Sequence, residues 1–397
     1  MSDTVRRKGA LFALLLTVFI DMVGFGIIIP FMPFWAEHFD ATPDMVTLLF
    51  ATYSGVAFVF SFLWGWASDR WGRKPILLLS LMGSVVSFLW LGFADALWVL
   101  FAARALGGVF GANITVAQAY IADITEPEDR AKGMGLMGAA FGMGFVIGPA
   151  IGGLLAGPDA ANPDFRTPFL VAGAVSFVGV LTGLIFLREP DRHRPPETSR
   201  SLVDRARSFA LVIGHPSVAM PVLVLVIMGF AMAGLESTLA LWTERAHGWG
   251  PRETGYFFGF IGVMLVIVQG GIVGKAVRRF GEARVAPVGA FTMMIGFGMI
   301  PWCSTVWLVL VSGALIVTGY GLGNPSLNGL ISRNAPSHVQ GAVLGASQSA
   351  QALCRVFGPI TAGALFAALG RDMPFHVGGA ILAVAGFAAL RLTQPKS

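Results

Sequence analysis

Four ionisable side chains, Asp21, Arg104, Glu236 and Arg355, each sit inside a long apolar run of this 397-residue chain. An ionised group at the centre of a lipid-embedded helix costs about 2.5–3.5 kcal/mol on insertion scales, so such a group normally has a partner and a task. Burial in oil penalises the charged form, whereas an opposite charge nearby favours it. At 4 Å and an effective dielectric constant of 20 that attraction is roughly 4 kcal/mol, enough for a change of geometry to load or unload a proton. Asp21 and Glu236 are therefore candidates for proton exchange, with a helix-end or structural role as the alternative for Glu236. Arg355 is a candidate contact for an anionic ligand, or equally for a structural partner.

A second, uncharged set lies within or near the apolar runs: Asn113, Gln118, Gln269, Asn324, Asn328, Gln348 and Gln351. Unpaired amides are expensive there, so each either bonds to a neighbouring helix or lines a cavity. Trp64, Trp66, Met228, Met232, Phe257, Phe258, Phe260 and Met293 suit a hydrophobic ligand or lipid. The six histidines are scattered, and no Ser/His/Asp or metal-ligand constellation appears. No phosphate-binding loop appears either, so energy for any work must come from a gradient. No enzyme chemistry, metal or cofactor is expected.

The elements that hold these groups follow from composition. The chain is 55% hydrophobic and 12% charged, with mean hydropathy +0.73, against about 25% charged in ordinary soluble domains. Too few polar side chains remain to coat a water-facing surface. Fifty-one glycines and 32 phenylalanines fit membrane helices that pack through small residues. A helix needs roughly 20 apolar residues to cross a bilayer. Twelve runs qualify: 10–33, 46–66, 75–94, 97–122, 133–156, 168–187, 218–241, 253–275, 284–303, 306–331, 341–367 and 374–391. Arg6, Arg7 and Lys8 precede the first run, which continues past Pro30 without a small-residue cleavage site and so reads as a retained span. Cys303 and Cys354 offer no disulfide framework. The net charge of +5 is not gathered into an aromatic-interleaved patch, so no nucleic-acid partner is expected.

Lysine and arginine set the orientation. Loops on the side of the N-terminus carry 21 of them and the opposite loops four, Arg166, Arg245, Arg252 and Arg371. Both termini and the long polar connection 188–216 are thus expected in the cytoplasm. That connection separates an N-terminal bundle of six helices (1–187) from a C-terminal one (217–397). The halves echo each other at a steady offset: Trp35 and Trp242 (242 − 35 = 207), Gly65 and Gly274 (209), Gly72 and Gly281 (209), Gly148-Pro149 and Gly358-Pro359 (210). Two six-helix halves in the same orientation form a known transporter plan, with the substrate between them near the midplane. The expected fold class is an all-α membrane protein of twelve transmembrane helices in two pseudo-symmetric bundles.

After the second run the chain carries Gly65, Asp69, Arg70, Gly72, Arg73 and Lys74. Glycines at 65 and 72 permit close approach and a sharp reversal, and Asp69 at a helix end can accept from an arginine or a helix N-terminus. This segment resembles the signature cytoplasmic loop of the major facilitator superfamily. The resemblance implies a gate that latches the two halves in the outward-open state, with Asp69 and Arg70 as the latch and Arg130 as partner. Three further segments resemble motifs of the family's twelve-span drug:proton antiporters. These are Asp21–Pro33 in the first helix, Arg104–Gly111 in the fourth, and Gly138–Gly153 in the fifth, which contains Gly144, Gly148, Pro149 and Gly152. Physically, the last is a small-residue face ending in a proline, suited to close packing and bending. With Ala119–Asp123 added, the chain most resembles tetracycline efflux pumps.

The resemblance pairs Asp21 with Arg104, which would compete with protons for the carboxylate and link proton entry to rocking; a static ion pair is the alternative. It also implies a multi-pass inner-membrane monomer that exports small amphipathic or hydrophobic compounds in exchange for protons. A transporter of a metabolite, lipid-like molecule or sugar is the alternative. The chain departs from the tetracycline pumps where these carry further membrane aspartates in helices 3 and 9. Those places fall near Ser87 and Met293, which argues against tetracycline with its metal ion as the substrate.

Overall fold

Where no water can bond to the backbone, every amide must be satisfied within its own helix or in a closed barrel. A computed structural model describes residues 3–111, 113–125, 127–157, 163–190, 216–336 and 339–393, and among these every regular element is a helix. The first half holds α1 (Asp3–Ile28), α2 (Met32–Glu37), α3 (Pro43–Trp71), α4 (Arg73–Gly92), α5 (Leu97–Phe110), α6 (Asn113–Ile124), α7 (Pro127–Leu155) and α8 (Arg166–Phe186). The second holds α9 (Pro216–His247), α10 (Pro251–Ile267), a π turn (Val268–Ile272), α11 (Val273–Phe280), α12 (Glu282–Met299), a 3-10 turn (Ile300–Trp302), α13 (Val306–Asn334), α14 (Gln340–Leu369) and α15 (Met373–Ala389).

Among the described residues, eleven helical stretches are long and apolar enough to cross a membrane, and α15 adds a shorter apolar helix of 17 residues. At 1.5 Å per residue α15 is about 25 Å long, close to the roughly 30 Å hydrocarbon core. Each of the twelve apolar runs lies mainly on helix, with 10–33 broken at residues 29–31 between α1 and α2. The helices often extend beyond the runs, as with 46–66 inside Pro43–Trp71 and 253–275 inside Pro251–Phe280, because an apolar run stops at the first charge and helical bonding does not. The run 97–122 carries two helical segments, α5 and α6, with Gly111 closing α5.

Two compact units divide the chain. One gathers Met1–Ala41, Thr52–Ser199 and Trp249–Gly262, the other Thr42–Ala51, Arg200–Gly248 and Val263–Ser397. In the first, α1 packs on α7 and α8, and α4 packs on α8 and α5. In the second, α9 packs on α14 and α15, and α12 packs on α15 and α13. These are the same neighbours shifted by one repeat.

The repeat extends to single bonds. Gly72 turns the chain with φ +115° and ψ 151°, and Gly281 does so with φ +80° and ψ 156°. The Ser87 hydroxyl donates to the Ala103 carbonyl at 2.8 Å, and the Ser312 hydroxyl donates to the Gly296 carbonyl at 2.8 Å. Since 296 − 87 and 312 − 103 both equal 209, one helix contact recurs with its donor moved to the opposite helix.

The seam between α1 and α7 shows why the fifth-helix glycines are there. A Cβ on Gly144 would stand 2.5 Å from Met22 Cβ, and one on Gly148 would stand 2.6 Å from the Val23 carbonyl oxygen and 2.7 Å from Gly26 Cα. A Cβ on Gly152 would strike the Ile27 carbonyl. In the second unit the corresponding Gly358 lies against the Phe230 carbonyl and Gly234. Gly138, by contrast, faces open space.

Overpacking such a seam costs about 1–3 kcal/mol. Gly148→Val is expected to lower the Tm of the purified protein by about 2–10 °C, with Gly138→Ala unchanged. Equal thermal unfolding of the two variants would contradict this packing.

Candidate transport site and loop clasp

The reversal at Gly72 delivers Arg73 to the start of α4. From there its guanidinium reaches Asp69 at 2.6 Å, the Ser68 hydroxyl at 2.6 Å and Asp123, at the end of α6, at 2.8 Å. The fork geometry of arginine suits one such group bridging two carboxylates. The sequence reading gave the latch to Asp69 and Arg70. In the structure Arg70 instead lies over the Trp66 ring at 5.8 Å, and Arg73 makes the ionic contacts. Gly72 interrupts the helix between residues 69 and 73 and reverses the chain, and that turn brings Arg73 back over the Asp69 carboxylate. A Cβ on Gly65 would meet nothing, so the close approach expected there is not seen. The Arg130 side chain lies outside the described residues. Glu189, just beyond α8, accepts the backbone N–H groups of Arg73 and Lys74; the sequence reading did not single it out.

In the second half Glu282 pairs with Arg333 at 3.3 Å. The offsets are 282 − 73 = 209 and 333 − 123 = 210, so the same two places hold an ion pair with its charges exchanged. Arg73 is 12% exposed and Arg333 is 62% exposed.

Deeper in the first unit, a pocket with about 10 Å³ of space is lined by Asp21, Tyr53, Ser84, Ser87, Arg104 and Gly107, with Met22, Phe25 and Phe88. Asp21 and Arg104 are both only 4% exposed, and the Arg104 guanidinium lies 4.4 Å above the Tyr53 ring. The glycines of α5 make room for Tyr53: a Cβ on Gly108 would stand 2.6 Å from its carbonyl oxygen, and one on Gly111 would stand 2.5 Å from its hydroxyl. Ser87, near one of the two places where the resemblance to tetracycline pumps implies an aspartate, thus faces the Asp21–Arg104 pocket. Met293, the other, is fully buried in the seam where Gly319 touches the Met293 backbone, with no space for a hydrated acid.

In the second unit Glu236 on α9 lies within electrostatic reach of Arg355 on α14 and Tyr320 on α13. Beside them the Asn324 amide donates to the Tyr320 hydroxyl at 3.1 Å and to Gln351 at 3.4 Å. Asn328 donates to the Asn324 side chain at 3.0 Å and to its backbone carbonyl at 2.9 Å. Tyr320, Asn324, Asn328 and Gln351 thus form one hydrogen-bonded row with Glu236 in electrostatic reach, whereas Arg355 is exposed; the sequence reading did not include Tyr320. Its position four residues before Asn324 on one helix face was the available signal. Gln118, Gln269 and Gln348 sit on exposed faces, and the Asn113 side chain lies outside the described residues.

The antiporter-motif helix α7 has a second glycine face. Within the first unit, a Cβ on Gly255 at the opening of α10 would stand 2.6 Å from Gly153 Cα and 2.6 Å from the Pro149 carbonyl oxygen. Gly262 meets Val146 in the same way. Among the described residues no cluster of three or more His, Cys, Asp or Glu is placed to hold a metal.

Among the described residues, twelve apolar helices in two related sets of six, with Asp21 and Arg104 buried in the first half and Glu236 near Arg355 in the second, follow the plan of a polytopic membrane transporter. The model of the Major Facilitator Superfamily matches residues 14–359, and the chain belongs to that family. It is 31% identical over 368 residues to the class C tetracycline resistance protein of Escherichia coli, covering 92% of this chain and 91% of that protein. It is 28% identical to multidrug resistance protein 2 of Bacillus subtilis (strain 168), covering 97% and 95% of the two chains. The crystal structure of the human organic anion transporter MFSD10 (TETRAN) superposes with a TM-score of 0.73 at 22% identity, over 96% of this chain and 99% of that one; that likeness shows the fold.

The differing burial of the two ion pairs leads to a test. A double-mutant cycle of Arg73→Gln with Asp123→Asn is expected to give a coupling of about 1–3 kcal/mol in thermal unfolding. The cycle on Glu282 and Arg333 is expected to give under about 0.5 kcal/mol. Equal couplings would contradict the difference in burial as the cause.

Proposed function

We propose that this transporter is a proton-coupled exporter of small amphipathic or hydrophobic compounds, working by alternating access of its two halves as a monomer. The observation that carries this reading is the Asp21–Arg104 pocket, where a carboxylate and a guanidinium, both 4% exposed, share one water-sized space. When the geometry brings Arg104 close, Asp21 is held ionised; when it withdraws, burial favours the protonated acid. Proton occupancy of Asp21 is thereby tied to the shape of the first half. Glu236, beside Arg355, is the second proton or cation site. The names of the relatives, resistance proteins for tetracycline and for multiple drugs, support export of a drug-like compound. The buried, close-packed Met293 and the serine at 87 argue against a metal chelate of tetracycline as the favoured cargo.

The loop charge count supports an orientation with both termini in the cytoplasm of an inner-membrane protein. In that orientation the Arg73 clasp is part of the cytoplasmic gate. A second reading has one observation behind it. The hydrogen-bonding row Tyr320–Asn324–Asn328–Gln351 suits a hydroxylated metabolite or sugar, and such a cargo would stabilise the protein on binding where a lipophilic cation would not.

The test uses purified protein in proteoliposomes, with ethidium as the amphipathic probe and an imposed pH gradient. Asp21→Asn is expected to lose about tenfold or more of the gradient-driven flux while keeping ethidium counterflow without a gradient. Unchanged coupling in Asp21→Asn would reject the proton role.

A further inference from the structure

Glu189 stands three residues beyond α8, and its carboxylate reaches back across 116 residues of sequence to the start of α4. One oxygen accepts the Arg73 amide at 2.7 Å and the other accepts the Lys74 amide at 2.9 Å. The first amides of a helix have no partner inside it, and a cap residue with a side-chain oxygen normally serves them. Here the cap residue is Gly72, which has no side chain and makes no such bond. A Cβ at residue 72 would stand 2.9 Å from the Glu189 carboxylate. Glycine at that place therefore turns the chain at positive φ and also admits the distant carboxylate.

The chain leading to Glu189 is fastened as well. Leu187 is 1% exposed, the Lys74 ammonium donates to the Leu184 carbonyl at 3.0 Å, and the Tyr120 hydroxyl donates to the Arg188 carbonyl. Arg73 is thus gripped twice, its backbone by Glu189 and its guanidinium by Asp69, Ser68 and Asp123. The guanidinium is a rigid fork, and a site built on it needs its support held to within about 0.5 Å. A small shift of the Arg73 backbone would let it keep one carboxylate and lose the other.

We propose that Glu189 is a positioning residue for the Arg73 clasp. It fixes the Arg73 backbone so that a single guanidinium spans Asp69 on α3 and Asp123 on α6, and so makes the segment leaving α8 a working part of the loop. A plain helix cap would account for the two backbone bonds and nothing more. A positioning residue must also be felt at the end of α6, through Asp123.

Hydrogen–deuterium exchange on the purified full-length protein separates the two roles, and it needs no transported compound, so its outcome is independent of the exporter reading. In Glu189→Gln, amides of residues 72–76 are expected to exchange about tenfold faster, and those of residues 120–125 about threefold faster or more. In an Asp123→Asn background, Glu189→Gln is expected to add nothing at 120–125. Glu189→Asp, which keeps the charge on a shorter stem, is expected to be intermediate at both places, and it serves as the readout if the glutamine variant does not fold. Acceleration confined to 72–76 would overturn the inference, as would wild-type rates at both places. An effect at 120–125 that persists with Asp123→Asn would also overturn it, because the influence would then run through Tyr120 and Arg188.

Discussion

Inside a bilayer no water is available to rescue a polar group, and that constraint organises this molecule from backbone to site. It forces the chain into helices that satisfy their own amides. It also removes the hydrophobic drive between helices, leaving packing to hold them together. The glycines of α7 show the consequence, since Gly144, Gly148 and Gly152 bring its backbone onto α1 and Gly153 brings it against Gly255. The same constraint makes the few buried charges informative. Asp21 and Arg104 share a small pocket, and Glu236 keeps company with Arg355, Tyr320 and a row of amides.

The repeat is close enough that its departures can be read one by one. The serine that joins the third and fourth helices of a half sits on the third in one half and on the fourth in the other. The ion pair at the loop keeps its place and reverses its charges, Arg73–Asp123 against Glu282–Arg333. Duplicated scaffolds need to conserve contact positions, while the chemistry at those positions can diverge. Among the described residues, the first-half pair belongs to a wider network, with Asp69, Ser68 and Glu189 around it. A largely buried, multiply bonded arginine is costly to displace.

Helix number, the repeat and the glycine seams were legible in the sequence because each is a periodic or compositional signal. Helix ends were less so: apolar runs mark where lipid begins, and α3 and α11 continue past it. The loop motif named both Arg70 and Arg73, and the turn at Gly72 decides that Arg73 is the side chain that meets Asp69. Glu189 and Tyr320 escaped because their partners are fixed by tertiary packing. An acid in a charged stretch 116 residues from its partner leaves no local trace, and Tyr320 leaves only its spacing of four from Asn324. Asp21 and Arg104 could be named as singular charges and paired through the family resemblance, and in the folded first half both line one pocket with Tyr53 and Ser87.

Proton release on ligand binding tests the central claim most directly. Purified protein in weakly buffered detergent solution, mixed with ethidium, is expected to release about one proton per molecule when the ligand binds. The release is expected to vanish in Asp21→Asn while ethidium still binds. Undiminished release from Asp21→Asn, or binding without any release by the unmodified protein, would contradict a buried carboxylate as the link between cargo and gradient.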